Sequence, residues 1–352
     1  TFDHETYRLT LSRRKLLAGL KLNITDDAQD GRFSIKIKGE EIELRTSVLP
    51  GNYAETLVLR ILNPKAIAVA LEELGLEPTL RARIEKEILK PTGMILTTGP
   101  TGSGKTTTLY AFMRTINSPG SKIITIEDPI EYHLKGLVQT QVDKKNYTFA
   151  AGLRSALRQD PDIIMVGEIR DAEVAEVAIN AALTGHLVFS TLHTNDAAGS
   201  FPRLIDLGVS EKVLSSAINV AMAQRLVRKL CTSCRKQRPA TLEEQTLIDR
   251  YVASIVDRSL VPPQTNTVYD PAPQGCEKCH GRGYKGRVGI FEAIFMDRKI
   301  EEVLRSKPSE REIALVAREQ GTPNMQEDGI IKILRGITSL EELQRVVDLT
   351  AN

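Results

Sequence analysis

The residues best suited to chemistry are Gly99-Pro100-Thr101-Gly102-Ser103-Gly104-Lys105-Thr106-Thr107, which have the composition and spacing of a phosphate-binding loop. Glycines at 99, 102 and 104 let the backbone curl so that successive N–H groups face an anion. Lys105 is placed to reach β- and γ-phosphates, and the Thr106 hydroxyl to ligate Mg²⁺. A second set is acidic: Glu127, Asp128 and Glu131 follow one short apolar run, and Glu168 and Asp171 follow another. A third run is bracketed by His186 and His193. The last set is Cys231-Thr232-Ser233-Cys234 and Cys276-Glu277-Lys278-Cys279, two C-x-x-C pairs that together suit a closed tetrahedral zinc site. Cys276 to His280 also fits a haem-attachment pattern, but that reading leaves the first pair unexplained. A redox pair is the other alternative. Structural zinc accounts for all four thiols.

The phosphate loop needs a strand before it and a helix after it. Met94–Thr98 is apolar and β-branched, as a buried strand is, and Thr107–Ile116 has a helical pattern whose N-terminus adds a positive dipole end. Apolar runs at Ile123–Glu127, Ile163–Glu168 and Leu187–Thr191 alternate with helical patterns at 150–159 and 172–184. That alternation predicts an α/β core, a mostly parallel sheet covered by helices, with ligands at the carboxyl ends of its strands. The acids and His193 occupy those ends. Ahead of the core, Ser12–Leu20 reads as a helix with one basic face and Asp30-Gly31 as a turn. Phe33–Ile37, Glu41–Val48 and Thr56–Leu62 read as strands. Arg45 and Arg60 lie on polar strand faces, which by pattern alone is a solvated position. Ser210–Leu230 reads as a long amphipathic helix, and Arg225–Arg238 as a basic run that is either a partner surface or a solvated rim. The 242–273 stretch reads as an excursion between the cysteine pairs. The expected division is a small α/β lobe at 1–64, a linker at 65–75, the core at 76–228, a tetracysteine subdomain at 229–290 and a helical region at 291–352.

Composition narrows the function. The formal net charge is +2, so no bulk field argues for nucleic acid or an anionic membrane. No apolar run approaches the roughly 20 residues of a membrane span, and neither a transmembrane segment nor an export signal is expected. Four cysteines confined to two C-x-x-C pairs beside a phosphate loop argue for metal in a cytosolic setting. The chain opens on Thr1, and a region preceding it is expected.

These motifs resemble, over nearly the whole chain, the ATPases of type II secretion and type IV pilus assembly. Gly99–Thr107 corresponds to the Walker A loop, Ile126–Glu131 to the acidic box, Gly167–Asp171 to Walker B and Thr184–Asn195 to the histidine box. The two C-x-x-C pairs and the Gly336-Ile337-Thr338 ending resemble the extension or secretion branch. Ala54 stands where that family has glycine, and the family's Arg-x-Pro-Gln before Asp30-Gly31 is absent. The resemblance implies a RecA-like ATPase core hydrolysing ATP with Mg²⁺, in a homo-hexamer of two-lobed subunits. It implies that Glu131 polarises water, that Glu168 supports Mg²⁺ or that water, and that His193 senses the γ-phosphate. Arg45 and Arg60 then become arginine fingers sent from the first lobe. The implied setting is the cytoplasmic face of the inner membrane, with a platform protein and a cytoplasmic adaptor as partners and no nucleic acid. The competing readings are a nucleic-acid-translocating hexamer and a non-hydrolysing nucleotide-binding scaffold.

Overall fold

The computed structural model describes residues 3–37, 39–62, 69–143, 146–306 and 308–350. They form two compact units, Thr1–Val69 with Glu131–His133, and Ala70–Ile130 with Leu134–Asn352. Asn63-Pro64 and the first part of the expected linker lie outside the described residues. Its described part holds a 3-10 turn at Leu71–Glu73.

In the first unit, helix α1 (His4–Leu17) starts where the Asp3 carboxylate accepts from the Thr6 N–H at 2.8 Å. Three antiparallel strands follow, β1 (Gln29–Ile37), β2 (Glu40–Leu49) and β3 (Thr56–Leu62), paired in chain order. Phe33 and Leu44 sit opposite each other and pack with Ala18 into a small core. Two expectations change here. Lys15 does not belong to a solvated basic face: it is 1% exposed, and its Nζ donates to Ile24 O at 2.7 Å and to Glu55 at 2.6 Å. Asp30-Gly31 is not a turn but part of β1. A Cβ on Gly31 would lie 2.3 Å from the Ala18 carbonyl oxygen, so the glycine admits close approach of the chain rather than a reversal.

The second unit is built on a seven-stranded sheet in the order β12-β9-β4-β8-β7-β5-β6. These strands are β4 (Gly93–Thr98), β5 (Ile123–Glu127), β6 (Val138–Gln141), β7 (Ile163–Val166), β8 (Leu187–Leu192), β9 (Ile218–Leu230) and β12 (Tyr284–Phe295). All neighbours are parallel except β12 against β9. The helices among them include α2 (Pro78–Ile88), α3 (Lys105–Ile116), α4 (Phe149–Leu157), α5 (Ala172–Leu183), α6 (Ser200–Asp206) and α7 (Glu211–Ala217). β4, β5, β7 and β8 are buried at every residue. Alternate side chains of a strand face opposite sides, so these strands are covered on both faces.

The helix expected over Ser210–Leu230 ends at Ala217, and β9 occupies the rest. The first half of β9, Ile218 to Ala223, is buried on both faces apart from Asn219. Such a run has no period to separate strand from helix, and pairing with β4 and β12 decides it.

The 242–273 stretch is not a loose excursion. It carries α8 (Leu242–Ser254) and β11 (Thr267–Asp270), and β11 pairs with β10 (Lys236–Pro239). Ile248 is fully buried, and Tyr251 Oη donates to Leu349 O at 3.1 Å. After β12 come α9 (Arg298–Leu304), α10 (Glu310–Ala317), α11 (Met325–Leu334) and α12 (Leu340–Gln344). Every residue of α11 except Gln326 is buried. Its Asp328 accepts from the Phe291 N–H of β12 at 2.7 Å and pairs with Lys332 one turn on, both side chains at most 3% exposed. Burial pushes the Asp328 carboxyl above its ordinary pKa, and the Lys332 ammonium works against that shift. Lys332→Met strands that carboxylate. Urea unfolding is expected to report a loss of about 3–5 kcal/mol, and a loss below about 1 kcal/mol would contradict the role given to the pair.

Candidate functional site

β4 delivers the chain directly into Gly99–Gly104. Gly99, Gly102 and Gly104 take φ values of +143°, +81° and +95°, conformations in which L side chains are strained. Gly104 caps α3, and Lys105 is its first residue. Lys105 Nζ donates to the carbonyls of Gly99 at 2.6 Å and Pro100 at 3.2 Å, which folds the ammonium back over the loop. Burial lowers the Lys105 pKa, Glu168 opposes that shift and Arg225 adds to it. The residue is thus a desolvated cation held on two backbone carbonyls. Thr106 follows, half-buried, in the first turn of α3.

The parallel order places the carboxyl ends of β4, β8 and β7 side by side. Glu168, two residues past β7, is 8% exposed. One of its oxygens pairs with Arg170, and the other lies 3.2 Å from His193 Nε2, just past β8. Side-chain bonds lock the two strand ends together: Ser190 Oγ donates to Val166 O and Thr191 Oγ1 to Gly167 O, both at 2.8 Å. Thr194 N–H donates to Thr98 Oγ1 at 2.8 Å, tying the segment after β8 to the end of β4. Lys105, Glu168 and His193 therefore belong to one rigid edge. Asp171 has a structural task, accepting from Val174 N–H at 2.9 Å as the cap of α5.

The acidic run after β5 divides. Glu127 is 2% exposed and is held by Tyr110, Thr125 and Gln139, so it is a satisfied buried carboxylate rather than a reactive one. Glu131 groups with the first unit, where it lies 3.9 Å from Arg45. Arg45 stands directly across the ladder from Arg60 on one side and Arg32 on the other. Three like charges in one cross-strand row are unfavourable unless an anion meets them. Sequence reasoning picked two of the three and missed Arg32, whose position is fixed only by register.

The four cysteines converge, with all sulfurs within 4.8 Å of one another. Cys231–Cys276, Cys276–Cys279 and Cys234–Cys279 stand at 3.7, 3.7 and 3.8 Å. A disulfide needs about 2.05 Å. Four sulfurs about 2.3 Å from a central ion are about 3.8 Å apart, so this donor set fits tetrahedral Zn²⁺. Burial would raise the Cys279 thiol, but the N–H groups of Cys276 and Gly283, at 3.1 and 3.3 Å, bring it down to about 6. Three arginines of the basic run around the cluster are spent internally. Arg228 binds Glu342 at 2.8 Å through Nε, Arg235 donates to Gly336 O, and Arg238 joins Glu244 and Asp270. Lys229 and Lys236 of the same run are exposed, so the run is a rim in its arginines and open to solvent at its lysines.

A family model described as Type II/IV secretion system protein matches residues 3–345. The chain belongs to this family. Type II secretion system protein E of Aeromonas hydrophila is 46% identical over 339 residues, which are 96% of this chain and 65% of that protein. Type IV pilus assembly ATPase PilB of Acinetobacter baylyi is 42% identical, over 95% of this chain and 57% of the relative. The chain thus spans about two thirds or less of the length of these curated relatives. Among solved structures, the pilus retraction motor PilT with bound ADP aligns with a TM-score of 0.65 and 28% identity, covering 97% of this chain and 83% of that one. The ATPase DotB of Legionella pneumophila, 23% identical with a TM-score of 0.62 over 91% and 77% of the two chains, shares the fold. The chain's α/β core of mostly parallel strands, with a small α/β unit before it and a tetracysteine cluster with helices after it, is the architecture read from the sequence.

For this member of the secretion family, the sulfur separations predict four reducible-free thiols. Titration in denaturant with a chelator and no reductant is expected to give four thiol equivalents per chain, matching the four cysteines. Two or none would mean disulfides and would contradict the cluster.

Proposed function

We propose that this chain is the catalytic portion of a hexameric motor that hydrolyses ATP to drive type II secretion or type IV pilus assembly. The observation that carries the reading is the buried Lys105 in its glycine loop, with Glu168 and His193 on the same sheet edge. The loop amides and Lys105 would hold the phosphates, with Gly99 to Thr107 as the binding segment. Thr106 and Glu168 offer the oxygen ligands that suit Mg²⁺, which when bound neutralises charge on the β- and γ-phosphates. Glu131 would orient the attacking water, and His193 would report the state of the γ-phosphate to Glu168 across their 3.2 Å contact. Arg45 and Arg60 would complete the site from the first unit, of the same or a neighbouring subunit, by meeting charge that spreads onto the γ-phosphate in the transition state. Hydrolysis would then require the two units to close, and the chemical step would drive a rigid-body movement. Cys231, Cys234, Cys276 and Cys279 would hold Zn²⁺ in a structural role.

The names of the relatives support secretion and pilus assembly as the work done. No helix among the described residues is long and apolar enough to cross a membrane. In this reading membrane contact comes through a platform protein and an adaptor, at the cytoplasmic face of the inner membrane.

Glu131→Gln should keep ATP binding and lower kcat by about a hundredfold or more. Normal turnover in that variant would remove Glu131 as the water-orienting group. Arg60→Ala is expected to leave the ADP Kd within about threefold while turnover falls by about a hundredfold or more. Parental turnover after that substitution would exclude the first unit from the chemistry.

A further inference from the structure

The phosphate loop is gripped from a strand that no phosphate-binding motif includes. β9 runs parallel to β4 with Ala223 beside Thr98, so the next residue, Gln224, stands level with the start of the loop. Gln224 is 1% exposed, and its Nε2 donates to the Ser103 carbonyl at 2.7 Å. A Cβ on Gly104 would lie 3.0 Å from that same Nε2. A Cβ on Gly99 would lie 2.7 Å from the Gln224 carbonyl oxygen and 3.1 Å from Arg225 Nη1. Arg225 in turn donates to Gln224 O at 3.0 Å and to Asn195 O at 2.7 Å, beyond His193. One glutamine therefore touches both ends of the loop. Among the described residues, Ser103 Oγ and Gln224 Oε1 are buried without a hydrogen-bond partner, so the Nε2–carbonyl bond is what ties this corner.

We propose that Gln224 is a positioning residue for phosphate binding. In a planar trans peptide the C=O and the following N–H point in opposite directions. Fixing the Ser103 carbonyl towards β9 therefore turns the Gly104 N–H away from β9 and into the phosphate cradle. A loop with glycines at 99, 102 and 104 has many other conformations open to it. Gln224 removes one peptide's freedom before the phosphate arrives, which raises affinity without any contact to the ligand. The inference rests on Gly99–Thr107 being a nucleotide phosphate site.

The test is Gln224→Met in the full chain. Methionine keeps the volume, removes the donor and also removes the unpaired acceptor, so the fold is expected to survive. ADP binding by calorimetry should weaken about tenfold, which is about 1.4 kcal/mol. KM for ATP should rise by a similar factor, and kcat should fall by less than KM rises. The ligand-free Tm should stay within about 3 °C of the parent while the ADP-induced rise in Tm shrinks. Gln224→Leu carries the same expectation should the methionine variant not fold. Unchanged ADP affinity in a folded variant, or a loss confined to kcat, would overturn the inference. An unmodified protein that binds no ADP would overturn the phosphate-site reading itself, and this inference with it.

Discussion

The phosphate loop stands where it does because the strand beneath it cannot move. All six residues of β4 are buried, and the strand is hydrogen-bonded on one side to β8 and on the other to β9. A backbone clamped on both edges and both faces ends abruptly at Gly99, and the chain must reverse into α3 within a few residues. Glycine supplies the positive φ angles that reversal needs. The chemistry of the loop is a consequence of that constraint. The loop lies outside both the strand ladder and the helix, and the lysine at the helix start is drawn back onto the Gly99 and Pro100 carbonyls.

The same clamp organises the neighbours. β8 and β7 lie beyond β4 in the sheet, so Glu168 and His193 emerge on its edge without any dedicated loop to place them. On the other flank, β9 carries Gln224 against the loop and ends at Leu230, immediately before Cys231. The tetracysteine cluster is thereby a direct extension of a strand that borders the glycine loop. The buried Asp328–Lys332 pair of α11 backs β12, the partner of β9, so the helices at the end of the chain brace the same flank. A desolvated ion pair is a poor source of net stability but a strict one for register, because either charge left alone is costly.

Much of this was legible in the residues. The glycine spacing, the paired C-x-x-C motifs and the apolar strands ending in acids or histidine each state a local geometry, and the structure holds all three. What escaped was set by tertiary neighbours. Ile218–Ala223 is buried on both faces apart from Asn219, so that stretch has no period, and only its place between β4 and β12 makes it a strand. Lys15 looked solvated until Glu55, 40 residues on, proved to be its partner. Gly31 had the company of a turn and the task of a close approach to Ala18. The row formed by Arg32, Arg45 and Arg60 depends on register across three strands, which no single segment encodes. Gln224 was hidden for the same reason as its strand.

The central claim is that one compact unit binds the phosphates and the other supplies the charge that completes the reaction. A structure of the chain trapped with Mg²⁺, ADP and aluminium fluoride tests it most directly. The account predicts fluoride ligands within hydrogen-bonding distance, about 3 Å, of the Arg45 and Arg60 guanidinium groups, from the same or an adjacent subunit. A filled loop with Lys105 on the phosphates, and neither arginine within reach of the fluoride ligands, would contradict it.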